Sequence, residues 1–178
     1  MSDILIVGAG QLGSRYLQGM AQASSRHNVY VYDPSEESLL IASERYQEVR
    51  AESPDHEVVY TTVFADLPRD LDLVIVATSS SPRALIVQQV NQACQVRYWL
   101  LEKVLAPSID ELEIISRATQ GSIGVWVNHW MRLPNWAKDL KQIIEKSDAP
   151  CVKMSVTGGN WGLACNATHF IDLFKWVA

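Results

Sequence analysis

The sequence predicts an α/β domain on a doubly wound, mostly parallel sheet, with a short strand–helix extension at its C-terminal end. Three observations lead there. Short apolar runs alternate with longer amphipathic stretches along most of the chain. The first run, Ile4-Leu5-Ile6-Val7, passes directly into Gly8-Ala9-Gly10-Gln11-Leu12-Gly13 and then into helix-like sequence. The run from Leu71 to Thr78 is almost continuously apolar, which suits a parallel strand buried on both faces.

The opening stretch sets the rest. Strand, glycine turn, a helix from Ser14 to about Ser25, and a second strand at Val29-Tyr30-Val31-Tyr32 end on Asp33. Gly8 permits a tight turn off the strand. Gly10 lacks a Cβ, so a pyrophosphate can approach the backbone, and Gly13 lets the helix pack closely on the strand. Free N–H groups and the helix dipole attract phosphates at the helix start. Asp33 can accept hydrogen bonds from both hydroxyls of an adenosine ribose. These parts together predict a Rossmann-type site for a dinucleotide, with Gly8, Gly10, Gln11, Leu12, Gly13 and Asp33 as its contacts. The bland alternative is a glycine turn that only joins two elements, with Asp33 as a solvated strand end. A carboxylate at 33 repels a 2′-phosphate and no basic residue stands at 34 or 35, so NAD is expected over NADP.

Composition narrows the function classes. At 178 residues the chain can bury roughly 70% of its unfolded surface, enough for a real core. The net charge of −5 and the lack of a basic run argue against a nucleic-acid partner. Cys94, Cys151 and Cys165 are widely spaced and show no metal-ligand pattern, so no metal is expected and a reduced, cytoplasmic setting is. No charged segment precedes the first apolar run, and no run is long enough to span a membrane.

The remaining elements follow in order. Ser35 caps a helix from Glu36 to about Arg50, with Leu39, Leu40, Ala42 and Tyr46 as its apolar face. Glu57 to Thr62 reads as a third strand, and Asp66-Leu67-Pro68 as a short connection to the strand at 71–78. Thr78-Ser79-Ser80-Ser81 then lies at the carboxyl end of a central strand, where open α/β sheets bind ligands. Thr78 and Ser79 are candidate cofactor contacts; the alternative is that these hydroxyls only cap the helix from Pro82 to Gln95. Tyr98 to Glu102 is a strand followed directly by Lys103. Ser108 and Glu111 form a capping box for a helix to about Thr119. Gly124 to Asn128 is a further strand. Pro134 to about Lys146 is a helix with Trp136, Leu140, Ile143 and Ile144 facing inward. The dinucleotide-binding domain is expected over 1–147. Residues 148–178 hold a strand at Cys151–Val156 and a last helix from Leu163 or Asn166 to Trp176, the start of a second domain.

The order of parts resembles the Gfo/Idh/MocA family of nicotinamide-dependent oxidoreductases. The resemblance rests on Gly8-Ala9-Gly10-Gln11-Leu12-Gly13-Ser14-Arg15, the strand into Ala77-Thr78, and Leu101-Glu102-Lys103. It continues in Val127-Asn128 with Arg132 and Pro134, and in Asn166-Ala-Thr-His169-Phe-Ile-Asp172. It implies that Glu102 and Lys103 join the cofactor site and that Lys103 and His169 are catalytic. His169 would take the hydroxyl proton of an alcohol on a sugar or polyol while the carbon's hydride passes to the nicotinamide. Lys103 would hydrogen-bond the same oxygen and stabilise its developing charge. Asn166, His169 and Asp172 lie at three-residue steps on one helix face, so Asn166 and Asp172, with Arg132, are candidate substrate residues. The nearer alternatives are a satisfied interior histidine at 169 and a lysine at 103 paired with a carboxylate. Trp161 and Trp176 read as packing residues.

Three departures from the family shape the expectation. Val104 stands where the family usually has proline; a cis peptide after Lys103 is not favoured there, since a non-proline cis bond costs roughly 3 kcal/mol. Cys165 stands where many relatives carry an acid. The family's second domain is a full antiparallel sheet, of which this sequence holds only the opening strand and helix, as a fragment, an engineered truncation or a natural remnant would. The rival reading is a non-catalytic dinucleotide-binding module acting as a regulator or sensor. A third is a Rossmann domain for another adenine-containing ligand. A homo-oligomer is left open.

Overall fold

The structure is a computed structural model that describes residues 1–50, 56–147, 153–160 and 162–178. Six strands form one sheet: β1 (Asp3–Val7), β2 (Asn28–Tyr32), β3 (Glu57–Thr61), β4 (Asp70–Val76), β5 (Gln95–Leu101) and β6 (Gly124–Val127). Their order is β3-β2-β1-β4-β5-β6 and every adjacent pair is parallel. The expected Rossmann-type doubly wound sheet is therefore present. Among the described residues six α-helices accompany it: α1 (Gln11–Met20), α2 (Glu36–Val49), α3 (Arg83–Ala93), α4 (Ile109–Thr119), α5 (Asn135–Lys146) and α6 (Leu163–Val177).

The strand period of two divides β1 between two cores. Leu5 and Val7 pack with Val87 and Val90 of α3 and Ile115 of α4. Ile4 and Ile6 pack with Leu17 of α1 and Leu39, Ala42 and Tyr46 of α2. Both faces of the central strands are thus covered, which explains their uninterrupted apolar sequence. Trp99 of β5 is fully buried, and its indole N–H donates to Ser122 Oγ at 2.9 Å.

Several expected details are corrected. α1 starts at Gln11, so Gly13 lies inside its first turn. Leu40 is exposed, because Leu39, Ala42 and Tyr46 form the buried stripe of α2 and Leu40 lies about 100° from Leu39 around the axis. In α5 the inward stripe is the buried Ala137 with the partly buried Leu140 and Ile144, and Trp136 and Ile143 share an adjacent, exposed one. β5 begins at Gln95 because Gln95 and Val96 pair with Asp70 and Leu71. α3 has no side-chain cap, so Ser81 does not close its end. Lys153–Val156 of the expected strand at Cys151–Val156 carry no ladder. A strand needs a partner for its backbone groups, and none of the described residues supplies one. Cys151 and Val152, like Trp161, lie outside the described residues.

The chain divides into two compact units, Met1–Val127 and Asn128–Ala178. The first holds the sheet with α1 to α4. In the second, Met131, Ala137, Leu173 and Val177 share a small core. α5 thus packs with α6, whereas the sequence reading groups it with the dinucleotide-binding domain. No described helix is long and apolar enough to cross a membrane.

Candidate functional site

In a parallel sheet the strands all end at one edge. The turns after β1, β2, β4 and β5 therefore bring Gly8–Gly13, Asp33, Thr78–Ser79 and Glu102–Lys103 to the same side. The strand order reverses at β1 and β4, which opens the crevice between their ends.

The glycine turn has the shape its sequence implies. Gly8 has φ +95°, and a Cβ there would meet Thr78 Cγ2 at 3.0 Å. A Cβ on Gly13 would lie 1.6 Å from the Gly8 carbonyl oxygen, so the helix touches the strand end backbone to backbone. A Cβ on Gly10 would meet nothing within 4 Å. The space before Gly10 is open, at the start of a helix without a side-chain cap or an acid in its first turn. Helix geometry leaves the first N–H groups without intrahelical partners, and Gln11 and Leu12 carry two of them beside this space. An anionic phosphate fits that environment.

Asp33 holds two backbone segments. Its Oδ2 accepts from Ala9 N–H at 2.7 Å and its Oδ1 from Ser35 N–H at 2.9 Å. One oxygen is thus fixed against the glycine turn and the other against the start of α2. Each keeps a further lone pair for a ribose hydroxyl. Thr78 Oγ1 is buried with no hydrogen-bond partner among the described residues, so its donor and acceptor capacity is open to a ligand. Ser79 beside it is exposed.

Glu102 is buried and accepts a hydrogen bond from Tyr16 Oη of α1. Lys103 is half-buried. The Lys103–Val104 peptide is cis, against the expectation from valine in place of proline at 104. The segment is held from behind: the Arg83 guanidinium donates to the Val104 and Leu105 carbonyls, the latter at 3.0 Å. Arg83 also donates to the Thr78 carbonyl. It is fully buried, and burial lowers its pKa while nearby Glu102 opposes that shift. Sequence reasoning missed Arg83. The signal was an arginine directly after Pro82, in the first turn of a helix where the macrodipole disfavours a cation.

The other predicted residues gather in the second unit. Asp172 takes a bidentate ion pair from Arg132, with Nε donating to Oδ2 at 2.6 Å and an Nη donating to Oδ1. That hydrogen bond raises the Arg132 pKa. Two candidate substrate residues are therefore engaged with each other. His169 is buried, with its ring edge-on to His129 at 5.3 Å and to Trp130 at 6.1 Å. His129 Nδ1 lies 3.9 Å from Asp172 Oδ2. His129 was missed too, although it directly follows Asn128 at the end of a strand. Asn166 stands one turn before His169 on α6, near Gly162. Trp176 is half-buried and carries Lys141 over its ring at 5.1 Å, consistent with packing. Among the described residues, no group of three or more His, Cys, Asp or Glu side chains could hold a metal.

Known proteins carry the same fold. The chain superposes on scyllo-inositol dehydrogenase from Lactobacillus casei with bound NAD(H) and scyllo-inositol, at 18% identity and a TM-score of 0.70, over 100% of this chain and 56% of that one. It superposes on myo-inositol dehydrogenase from Lactobacillus casei with NAD(H) and myo-inositol at 14% identity and 0.74, over 99% and 54%. The WlbA dehydrogenase from Bordetella pertussis, in complex with NADH and UDP-GlcNAcA, matches at 17% identity and 0.73, over 99% and 58%. The chain thus spans little more than half the length of these structures. No curated protein matches the sequence. The family model described as an oxidoreductase family with an NAD-binding Rossmann fold matches residues 2–129. On that match, the chain belongs to the Gfo/Idh/MocA family of oxidoreductases.

Proposed function

We propose that the chain serves NAD-linked hydride transfer at a hydroxyl-bearing carbon of a sugar, polyol or related small molecule. One observation carries the cofactor half: the open, uncapped start of α1 at Gly10, flanked by Asp33 and by the unsatisfied hydroxyl of Thr78. The helix start takes the pyrophosphate, Asp33 the adenosine ribose, and Thr78 and Ser79, with Glu102 and Lys103, the far side of the crevice. Asp33 favours NAD, because a 2′-phosphate would sit against a carboxylate. When bound, the nicotinamide supplies the hydride acceptor.

The remaining roles follow the family resemblance. His169 accepts the proton of the reacting hydroxyl on its imidazole. Lys103 donates a hydrogen bond to that oxygen and stabilises negative charge as it develops. Arg132 holds Asp172, and the pair with Asn166 forms the polar surface near His169. The inositol and nucleotide-sugar ligands of the structural relatives motivate hydroxyl-rich compounds as the substrate class.

Calorimetric titration with NAD and NADP, alongside Asp33→Ala, tests the cofactor assignment. NAD should bind and the substitution should weaken it by roughly ten- to a hundredfold, the worth of a charged hydrogen bond. Absence of binding to either nucleotide in a folded chain would sink the reading. NADH formation with cyclitols and sugar derivatives tests the chemistry. His169→Ala should lower kcat by roughly 10²- to 10⁴-fold. Cofactor binding with no turnover on any such compound would favour the non-catalytic module instead.

A further inference from the structure

We propose that Arg83 is a positioning residue that sets the nicotinamide-side half of the crevice by clamping the turns after β4 and β5 to each other. The inference rests on the reading that this crevice takes a dinucleotide. Asp33 stands beyond β2, on one side of the glycine turn. Thr78 and Lys103 stand beyond β4 and β5, on the other. A dinucleotide lying across the switch point places its two nucleosides on these two sides. Whatever fixes the second pair of turns therefore acts on the half without the adenosine.

Arg83 is built for that task. Its guanidinium is fully buried in the first turn of α3 and donates to Thr78, Val104 and Leu105 carbonyl oxygens. The first of these belongs to the turn after β4 and the other two to the turn after β5. Neither turn is closed by a ladder at this point, so their carbonyls need donors from elsewhere. One planar fork satisfies three of them at once; an ammonium group cannot reproduce that geometry. The carboxylate of Glu102 acts electrostatically on Arg83 and accepts a hydrogen bond from the Tyr16 hydroxyl of α1. Arg83 thus ties the two far-side turns to each other, and Tyr16 ties α1 to the turn after β5 through Glu102. Those turns carry Thr78 and Lys103. Arg83 itself spends its donors on carbonyls and acts only through them.

The test compares NADH with ADP, which carries the adenosine and pyrophosphate but nothing of the second nucleoside. The full chain, Arg83→Met and Arg83→Lys are titrated with both ligands by calorimetry, with a melting curve for each protein. The emission of bound NADH is recorded in parallel. The wild type should bind both ligands. A folded Arg83→Met should keep its ADP affinity and lose about tenfold or more for NADH, with the emission change on binding reduced. Arg83→Lys should recover part of that loss. Unchanged NADH affinity and emission, or equal losses for both ligands, would overturn the inference, since a purely structural role predicts no discrimination. If Arg83→Met does not fold, Arg83→Lys decides by the same criterion. Failure of both variants to fold assigns Arg83 to the core alone and overturns it as well. A folded wild type that binds neither ligand overturns the cofactor reading itself, a result distinct from every variant outcome.

Discussion

Three glycines and a histidine show how single positions constrain the molecule. Gly13 cannot accept a side chain, because a Cβ would fall on the Gly8 carbonyl oxygen. Gly13→Ala should force α1 away from β1 and cost about 1–3 kcal/mol or more, read as a lower melting temperature. Gly8 fails for a second reason, its positive φ; Gly8→Ala should cost about 1–3 kcal/mol on that account. Gly10→Ala should leave the melting temperature nearly unchanged, since nothing lies within 4 Å of the added methyl, yet weaken nucleotide binding. This separation of fold from binding is a direct check on the cradle. His27 sets a pH dependence. Burial, then neighbouring His56, then the chain's amino terminus lower its pKa in the folded state. The unfolded chain therefore binds the proton more readily, and stability falls as pH drops below about 6.5 towards the folded value. His27→Gln should flatten that part of a plot of urea midpoint against pH; an unchanged slope would refute the assignment.

At the level of elements, local chemistry was legible wherever it acts over a few residues. Ser35 Oγ accepts from Ser38 N–H at 3.2 Å and Ser108 Oγ from Glu111 N–H at 3.3 Å, as the capping sequences imply. Ser35→Ala should cost about 1 kcal/mol, measured by denaturant unfolding. The glycine turn, Asp33 and the strand at 71–78 were equally readable, because spacing and apolar continuity carry their meaning. Apolar identity alone did not say which stripe of α2 or α5 turns inward; Leu40, Trp136 and Ile143 are as hydrophobic as their buried neighbours. That choice depends on which helix or strand lies opposite, a long-range fact. The same holds for Arg83, two of whose three acceptors, the Val104 and Leu105 carbonyls, lie in a turn beyond the next strand. Lys153–Val156 read as a strand by composition, but a ladder needs a second chain segment.

For the molecule as a whole, the two units differ in how much core they hold. The sheet unit buries apolar side chains on both faces. The unit Asn128–Ala178 rests on a small cluster around Met131, Ala137, Leu173 and Val177, joined by the Arg132–Asp172 pair. Small cores supply little stability. Amide hydrogens of α5 and α6 should therefore exchange faster than those of β1, β4 and β5. Arg132→Met should accelerate exchange in α6 further, because it strips the partner from a poorly solvated carboxylate, while leaving the sheet amides as they were. Uniform exchange across both units would contradict this division.

Asp33 has a consequence for anyone wishing to redirect coenzyme choice. Its carboxylate ties the glycine turn to the start of α2, so the group that would discriminate against a phosphorylated ribose also serves as a latch. Deleting it would relax selectivity and unfasten the loop in the same stroke. A successful redesign has to divide those duties: an uncharged acceptor such as asparagine kept at 33 to hold the Ala9 N–H, and a cation introduced at 34 or 35.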